Sequence, residues 1–320
     1  MPRQARLDAT GGLHHIMIRG INKSDIFIDD EDRVKFLERM GQNVIEGKCS
    51  IYAWVLMKNH VHILFKTGEE GISAVMRKLL TWYAQYFNRR HKRTGHLFEN
   101  RYKSILCEEE NYLLTLVRYI HLNPVRARIV NNLDDLDKYR WCGHHAFIAN
   151  LKYKWMDKDY ILSEFSNKKR TAGKAYHKFI EEGLNKGYKE ELSGGGLIRS
   201  AGGWSKVLSM RTRNERVEFD ERILGGNEFV HNILKEAEEK EIRQLKLRRM
   251  GKNIINIIEE ECKKSGVNPI ELKSGSRRKK VSQVRAIIAN RSIKELGISI
   301  AEVARHLGVN TSAISRVIVI

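Results

Sequence analysis

Cysteine is scarce in this 320-residue chain: Cys49, Cys107, Cys142 and Cys262 stand far apart, with no Cys-x-x-Cys pair. Neither a disulfide framework nor a zinc knuckle is implied, and a reducing cytoplasm is the expected setting. Long apolar runs are missing too. No stretch approaches the roughly 18 residues that a membrane span needs, and Met1 to Asp8 lacks the apolar core of a signal peptide. There is no Gly-x-x-x-x-Gly-Lys phosphate loop, so no nucleotide cofactor is expected. Acidic residues are too few to balance the bases: 58 Lys and Arg face 39 Asp and Glu, a formal net charge of +19. That excess points to a polyanionic partner. Nucleic acid is the first candidate, and no membrane partner is expected.

What is present centres on Met57-Lys58-Asn59-His60-Val61-His62-Ile63-Leu64-Phe65, which reads as a turn followed by a β-strand. Side chains alternate faces along a strand, so His60 and His62 point one way while Val61 and Ile63 point into the core. Two imidazoles on one face can share a metal ion, although two histidines in a strand are more often ordinary polar-face residues. Downstream, Leu116 to Ala127 has apolar residues at helical spacing, which puts Tyr119 and Asn123 four apart on one face. Tyr112, seven residues earlier, shares nearly that face and is the rival of Tyr119. A core tyrosine and a helix-capping asparagine are the plain alternatives.

Taken together, these residues resemble the single-tyrosine HUH transposases, most closely the REP-associated tyrosine transposases, over about residues 10 to 150. His60-Val61-His62 matches their His-hydrophobe-His motif, and Tyr119 with Asn123 matches the nucleophile and the amide that follows it. Tyr86-Phe87-Asn88-Arg89-Arg90, Gly95-His96-Leu97-Phe98 and Arg101-Tyr102-Lys103 carry the resemblance further. It implies attack of Tyr119 on single-stranded or hairpin DNA, giving a 5′-phosphotyrosine link and a free 3′-OH. It also implies a divalent metal, Mg2+ or Mn2+, on His60, His62 and Asn123. Relatives act as monomers or as dimers that exchange the tyrosine helix, so a homodimer is one option. Lys58, Arg89, Arg90, Arg93, Arg101, Lys103, Arg118 and Arg126 surround this site in sequence and are expected to track phosphates.

Along the chain, strands are predicted at Leu13 to Arg19, Ser50 to Leu56, the histidine segment and Tyr102 to Cys107. Helices are predicted from Asp29 to Asp32 onward, from Ile72 to Asn88 and through Tyr119. The order β-α-β-β-α-β-α predicts an α+β, ferredoxin-like (RRM-like) HUH nuclease domain with an antiparallel sheet. Pro124 sets Asn123 at or near the helix end. We expect a catalytic domain over 1–130 and a helical extension packed on it over 131–192. Residues 193–250 read as a connector, with a hinge at Ser193 to Gly196, a second turn at Gly225-Gly226 and a charged helix over about 228–250.

The final segment, 251–320, is predicted to be all-α. Ile300 to Arg316 has an apolar-faced helix, a glycine turn and a polar cap opening a second helix, the marks of a helix-turn-helix. With the basic run Lys273-Ser274-Gly275-Ser276-Arg277-Arg278-Lys279-Lys280 ahead of it, the segment is similar to the DNA-binding domain of the bacterial chromosomal replication initiator. Arg277, Arg278, Lys279 and Lys280 are the expected phosphate contacts on duplex DNA, and Ser312 and Arg316 the expected base-edge contacts.

The leading expectation is a metal-dependent tyrosine DNA transposase, cytoplasmic and nucleoid-associated. A DNA-binding regulator derived from an inactivated transposase is the first alternative, and an RNA-binding sheet the last.

Overall fold

Acidic residues open the first helix and an alternating strand pair follows it, and from these the sheet assembles. The computed structural model describes residue 7 and residues 11–68, 71–184 and 220–318. The expected hinge at Ser193 to Gly196 lies outside the described residues. Two compact units divide the chain, residues 1–231 and 232–320.

In the first unit, β1 (Leu13–Arg19) leads to α1 (Asp30–Glu46). The Asp29 carboxylate caps α1 by accepting from the Asp32 N–H, and Asp30, Glu31 and Asp32 fill the positive first turn. Phe36, Met40 and Val44, at four-residue spacing, bury the inner face. β2 (Ser50–Leu56) and β3 (His60–Lys66) form a hairpin around Lys58-Asn59, with Leu56 opposite Val61. α2 (Ile72–Arg90) crosses to β4 (Lys103–Cys107), and α3 (Glu109–His121) follows. The sheet order is β2-β3-β1-β4, antiparallel throughout these four strands, as the ferredoxin-like reading predicts.

A fifth strand, β5 (Ile223–Leu224), pairs parallel with β4 and was not anticipated. It comes from the segment expected to be a plain connector. At the opposite edge, Leu56 N–H donates to Trp141 O, and Ile51 N–H donates to Trp155 O. Both sheet edges are therefore covered by later parts of the same chain, which removes the exposed ladder groups that invite pairing with other molecules.

α3 is buried on more than one side, through Leu113, Leu116, Val117, Tyr119, Ile120 and His121. A helix apolar around most of its circumference needs a cover on both sides. The sheet supplies one, and α8 (Lys169–Glu181) of the helical extension supplies the other through Tyr176 and Phe179. Full burial of each aliphatic side chain here contributes roughly 1.5–3 kcal/mol. Between α3 and α8 run α4 (Asn123–Arg126), α5 (Leu133–Lys138), α6 (Gly143–Ile148) and α7 (Lys158–Ser163). Leu122 keeps helical geometry between α3 and α4, so the chain bends before Pro124 instead of breaking.

The charged helix is α9 (Asn227–Arg249). The second unit then builds α10 (Ile254–Ser265), α11 (Pro269–Lys273), α12 (Lys279–Leu296), α13 (Ile300–His306) and α14 (Thr311–Val317). Its core joins Ile257, Leu272, Val281, Ile288, Val303, Leu307 and Ile314. Ser299 caps α13 and Asn310 caps α14. Between those helices Gly308 takes a positive φ of 63°, and a Cβ there would stand 2.0 Å from Lys273 O, so the turn requires glycine. Among the described residues no helix is long and apolar enough to cross a membrane.

Candidate active site

The β-strand pleat and the strand register build the site. His60 lies opposite Arg19, and His62 lies opposite Met17, which in turn lies opposite Lys103 on β4. Directly paired residues share a face, so Arg19, Met17, Lys103, His60 and His62 face the same side. α3 lies on that side, with the Tyr119 ring edge-on to His62 at 6.0 Å between centroids. Tyr119 also stands edge-on to His15 at 5.7 Å, and the Arg126 guanidinium lies 5.4 Å from the Tyr119 ring centre. Tyr112 belongs to the same helix, partly buried against the core.

Each histidine of the pair is held by its Nδ1. His60 Nδ1 lies 2.7 Å from Asn59 Oδ1, and the Asn59 amide in turn donates to Lys23 O at 3.0 Å. His62 Nδ1 lies 3.0 Å from Nε2 of the buried His15. With the proton on Nδ1, each imidazole donates to its neighbour and keeps a lone pair on Nε2, the arrangement of an oriented metal ligand. Burial pushes both histidines below the ordinary imidazole value, His62 well below, with Arg19 adding to the effect at His60 and His15 and His60 adding to it at His62. Both are therefore neutral near pH 7, the form that coordinates a cation.

Asn123, the first residue of α4, turns its amide nitrogen back onto the end of α3, donating to Tyr119 O at 2.9 Å. The capping alternative thus describes that nitrogen, and the amide oxygen is what the side chain has left for a cation. The donor set fits a divalent ion: two imidazole Nε2 atoms and one amide oxygen. Among the described residues no cluster of three or more His, Cys, Asp or Glu that could hold a metal ion is present.

His15 and Asn59 were missed as site residues, since pairing across strands and the aim of a turn amide depend on register. Arg19 was missed for the same reason.

The predicted DNA contacts divide. Lys58, Arg89, Arg101, Lys103 and Arg126 are exposed, and Lys58 forms an ion pair with Asp25 at 3.1 Å. Arg93 is half-buried, its guanidinium 5.6 Å from the Phe87 ring centre. Two of the predicted contacts are engaged within the fold. Arg90 is held by Asp29, Glu31 and Asp32, at 2.7–2.8 Å, and so fastens α2 to the start of α1. Arg118 lies 4.2 Å over the Phe179 ring and donates to Phe179 O, which makes it part of the α3–α8 packing.

In the second unit Arg277, Arg278, Lys279 and Lys280 are all exposed at the start of α12. The buried Arg285 holds that loop by donating to Leu272 O and Ser276 O. Ser312 and Arg316 lie exposed one turn apart on α14, where Arg316 Nε donates to Ser312 O.

Residues 10–123 match the family model described as "Transposase IS200 like". That span contains β1 through α3, ends at Asn123 and includes none of the second unit. A solved structure entitled "Structure of the REP associates tyrosine transposase bound to a REP hairpin" is similar at 16% identity. It covers 48% of this chain and 91% of that one, with a TM-score of 0.39. No curated protein matches the chain.

Proposed function

We propose that the IS200-like domain of this chain is a DNA nuclease and strand transferase in which Tyr119 is the nucleophile. The observation that carries this reading is the phenol ring of Tyr119 edge-on to His62, on the strand face that bears both histidines. Tyr119 Oη bonds to a backbone phosphorus while the bond from phosphorus to the 3′ oxygen breaks. The phenol proton leaves as the ester forms, and the departing 3′ oxygen takes one up. The product is a 5′-phosphotyrosine and a free 3′-OH, whose return attack rejoins DNA without ATP.

His60 Nε2, His62 Nε2 and Asn123 Oδ1 are the atoms to hold Mg2+ or Mn2+. When bound, such an ion neutralises the phosphate and polarises its P–O bonds. His15 and Asn59 keep the two imidazoles aimed, and Arg19, Lys103 and Arg126 border the site with positive charge for the flanking phosphates. A nucleophile buried between sheet and helix, with Tyr119 only 8% exposed, reaches a single strand or a hairpin more readily than a regular duplex.

The second unit we read as a duplex reader. Its exposed Arg277 to Lys280 loop is a phosphate contact and α14 the recognition helix, with Ser312 and Arg316 toward base edges.

End-labelled hairpin DNA, incubated with the purified protein and Mn2+ and run on a denaturing protein gel, tests the catalytic reading. Label retained by wild type and Tyr112→Phe, and lost with Tyr119→Phe or chelator, is expected. Capture that survives Tyr119→Phe would reassign the nucleophile. Duplex binding without capture by any variant would favour a DNA-binding regulator.

A further inference from the structure

Outside the candidate site, the first unit holds a buried polar chain that no step above uses. His121 Nδ1 lies 2.8 Å from Tyr176 Oη, and His144 Nδ1 lies 2.7 Å from the same oxygen. His144 Nε2 lies 2.7 Å from Asp137 Oδ1, and His177 Nε2 lies 3.1 Å from Asp137 Oδ2. His121, His144 and Tyr176 are each 0% exposed.

The proton order along this chain is determined by its charged end. A carboxylate only accepts, so His144 Nε2–H donates to Asp137. In neutral His144 the Nδ1 is then a lone pair, and Tyr176 Oη–H donates to it. The phenol oxygen is left to accept, and His121 Nδ1–H donates to it. Burial favours the neutral forms, lowering His144 and raising Tyr176. Burial by itself would raise Asp137, but the hydrogen bonds from His144 and His177 prevail and keep it ionised.

His121 Nε2 is left as a buried lone pair with no protein partner among the described residues. It faces Gly143: a Cβ at that position would stand 2.9 Å from His121 Nε2 and 3.2 Å from the Trp54 ring. The imidazole is thus gripped on both sides, by a hydrogen bond from α8 and by close packing at the start of α6. Arg118 is also held by α8, through Phe179. Tyr119 therefore sits between two residues, at 118 and 121, that the helical extension fastens.

We infer that Asp137, His144, Tyr176 and His121 are positioning residues that fix the His121 tautomer and, through it, the setting of the last turn of α3 that carries Tyr119. The inference rests on the reading of Tyr119 as nucleophile. It gives the extension over 131–184 a task, which is to brace the nucleophile helix. An apolar set of equal volume would pack the same space without specifying ring orientation, whereas a satisfied buried network does specify it.

Two measurements test this. The first is single-turnover capture of labelled hairpin DNA by full-length wild type, Tyr176→Phe, His121→Leu, His121→Asn and Gly143→Ala, with hairpin Kd measured alongside. Tyr176→Phe, His121→Leu and Gly143→Ala are expected to lower the rate constant by about 10-fold or more, with amplitude and Kd unchanged. His121→Asn places an N–H where Nδ1–H stands and is expected to retain most of the rate. A general stability role would lower the amplitude, the folded fraction, and leave the rate constant alone; that result would overturn the inference.

The second measurement needs no activity. Nitrogen-15 spectra of the histidine rings are expected to show His121 as the Nδ1–H tautomer in wild type and to lose that signature in Tyr176→Phe. An Nε2–H tautomer in wild type would overturn the inference. The spectra decide it even for a protein that captures no DNA, a result that would instead sink the catalytic reading.

Discussion

Lowering the pH from about 7.5 to about 5.5 weakens the first unit, because His62 and His121 are buried as neutral imidazoles. Each has a folded-state pKa well below the ordinary value, for which burial is the leading cause. The unfolded chain takes up these protons near pH 6.5 and the folded one does not. Stability from this source is therefore fully present above about 6.5 and is lost as the pH falls below it. If neither ring takes up a proton in the folded state, the pair costs up to roughly 3 kcal/mol by pH 5.5. For a unit of this size that corresponds to a fall in Tm of about 6–12 °C. Asp29, held down to about 2 chiefly by its hydrogen bond from Arg90, has its effect at far lower pH, while His60 and His144, also lowered chiefly by burial, add to the loss in the same direction. The assay is thermal unfolding by circular dichroism in chelator, so that no cation fixes His62. A Tm that stays level or rises on acidification would refute the reasoning, and with it the neutral, buried state assigned to both rings.

Arg90→Ala removes the main cationic partner of Asp32, a carboxylate with 0% side-chain exposure, and is expected to lower the midpoint of chemical denaturation with the m-value unchanged. Unaltered stability with weaker DNA binding would return Arg90 to the phosphate contacts. Lys103→Ala and Arg126→Ala leave the fold intact and weaken hairpin binding, each lowering the salt slope by about 1. A slope equal to that of wild type would place them off the DNA. Replacing Arg277, Arg278, Lys279 and Lys280 with alanine in the full chain reduces duplex affinity while capture of a short single strand is unaffected. Loss of both together would mean that the loop serves the first unit instead.

The strand and helix order of the first unit was legible because its signals are local: short, largely apolar runs that become the nearly continuously buried β1 to β4, acids opening α1, and helical spacing in α2 and α3. β5 was not, since two residues, Ile223 and Leu224, carry no periodicity and their pairing with β4 bridges more than 100 residues of sequence. At the site, His60 and His62 could be placed on one face by counting, and Tyr119 by its spacing from Asn123. His15 could not, because its approach to His62 depends on which strands lie side by side. Nor could the sequence show that Arg90, a basic residue in a basic stretch, is held by Asp29, Glu31 and Asp32. Tyr176 and His144 lie in a region without a motif, and only the tertiary structure joins them to His121.

The most direct measurement of the central claim is the site of covalent attachment. Trypsin cuts after Lys103, Arg118 and Arg126, so Tyr112 and Tyr119 fall on separate peptides. After capture of hairpin DNA with Mn2+ and nuclease trimming, tandem mass spectrometry should find the nucleotide adduct on Tyr119, in the peptide from Tyr119 to Arg126. An adduct on Tyr112, or capture with both tyrosines unmodified, would contradict the account.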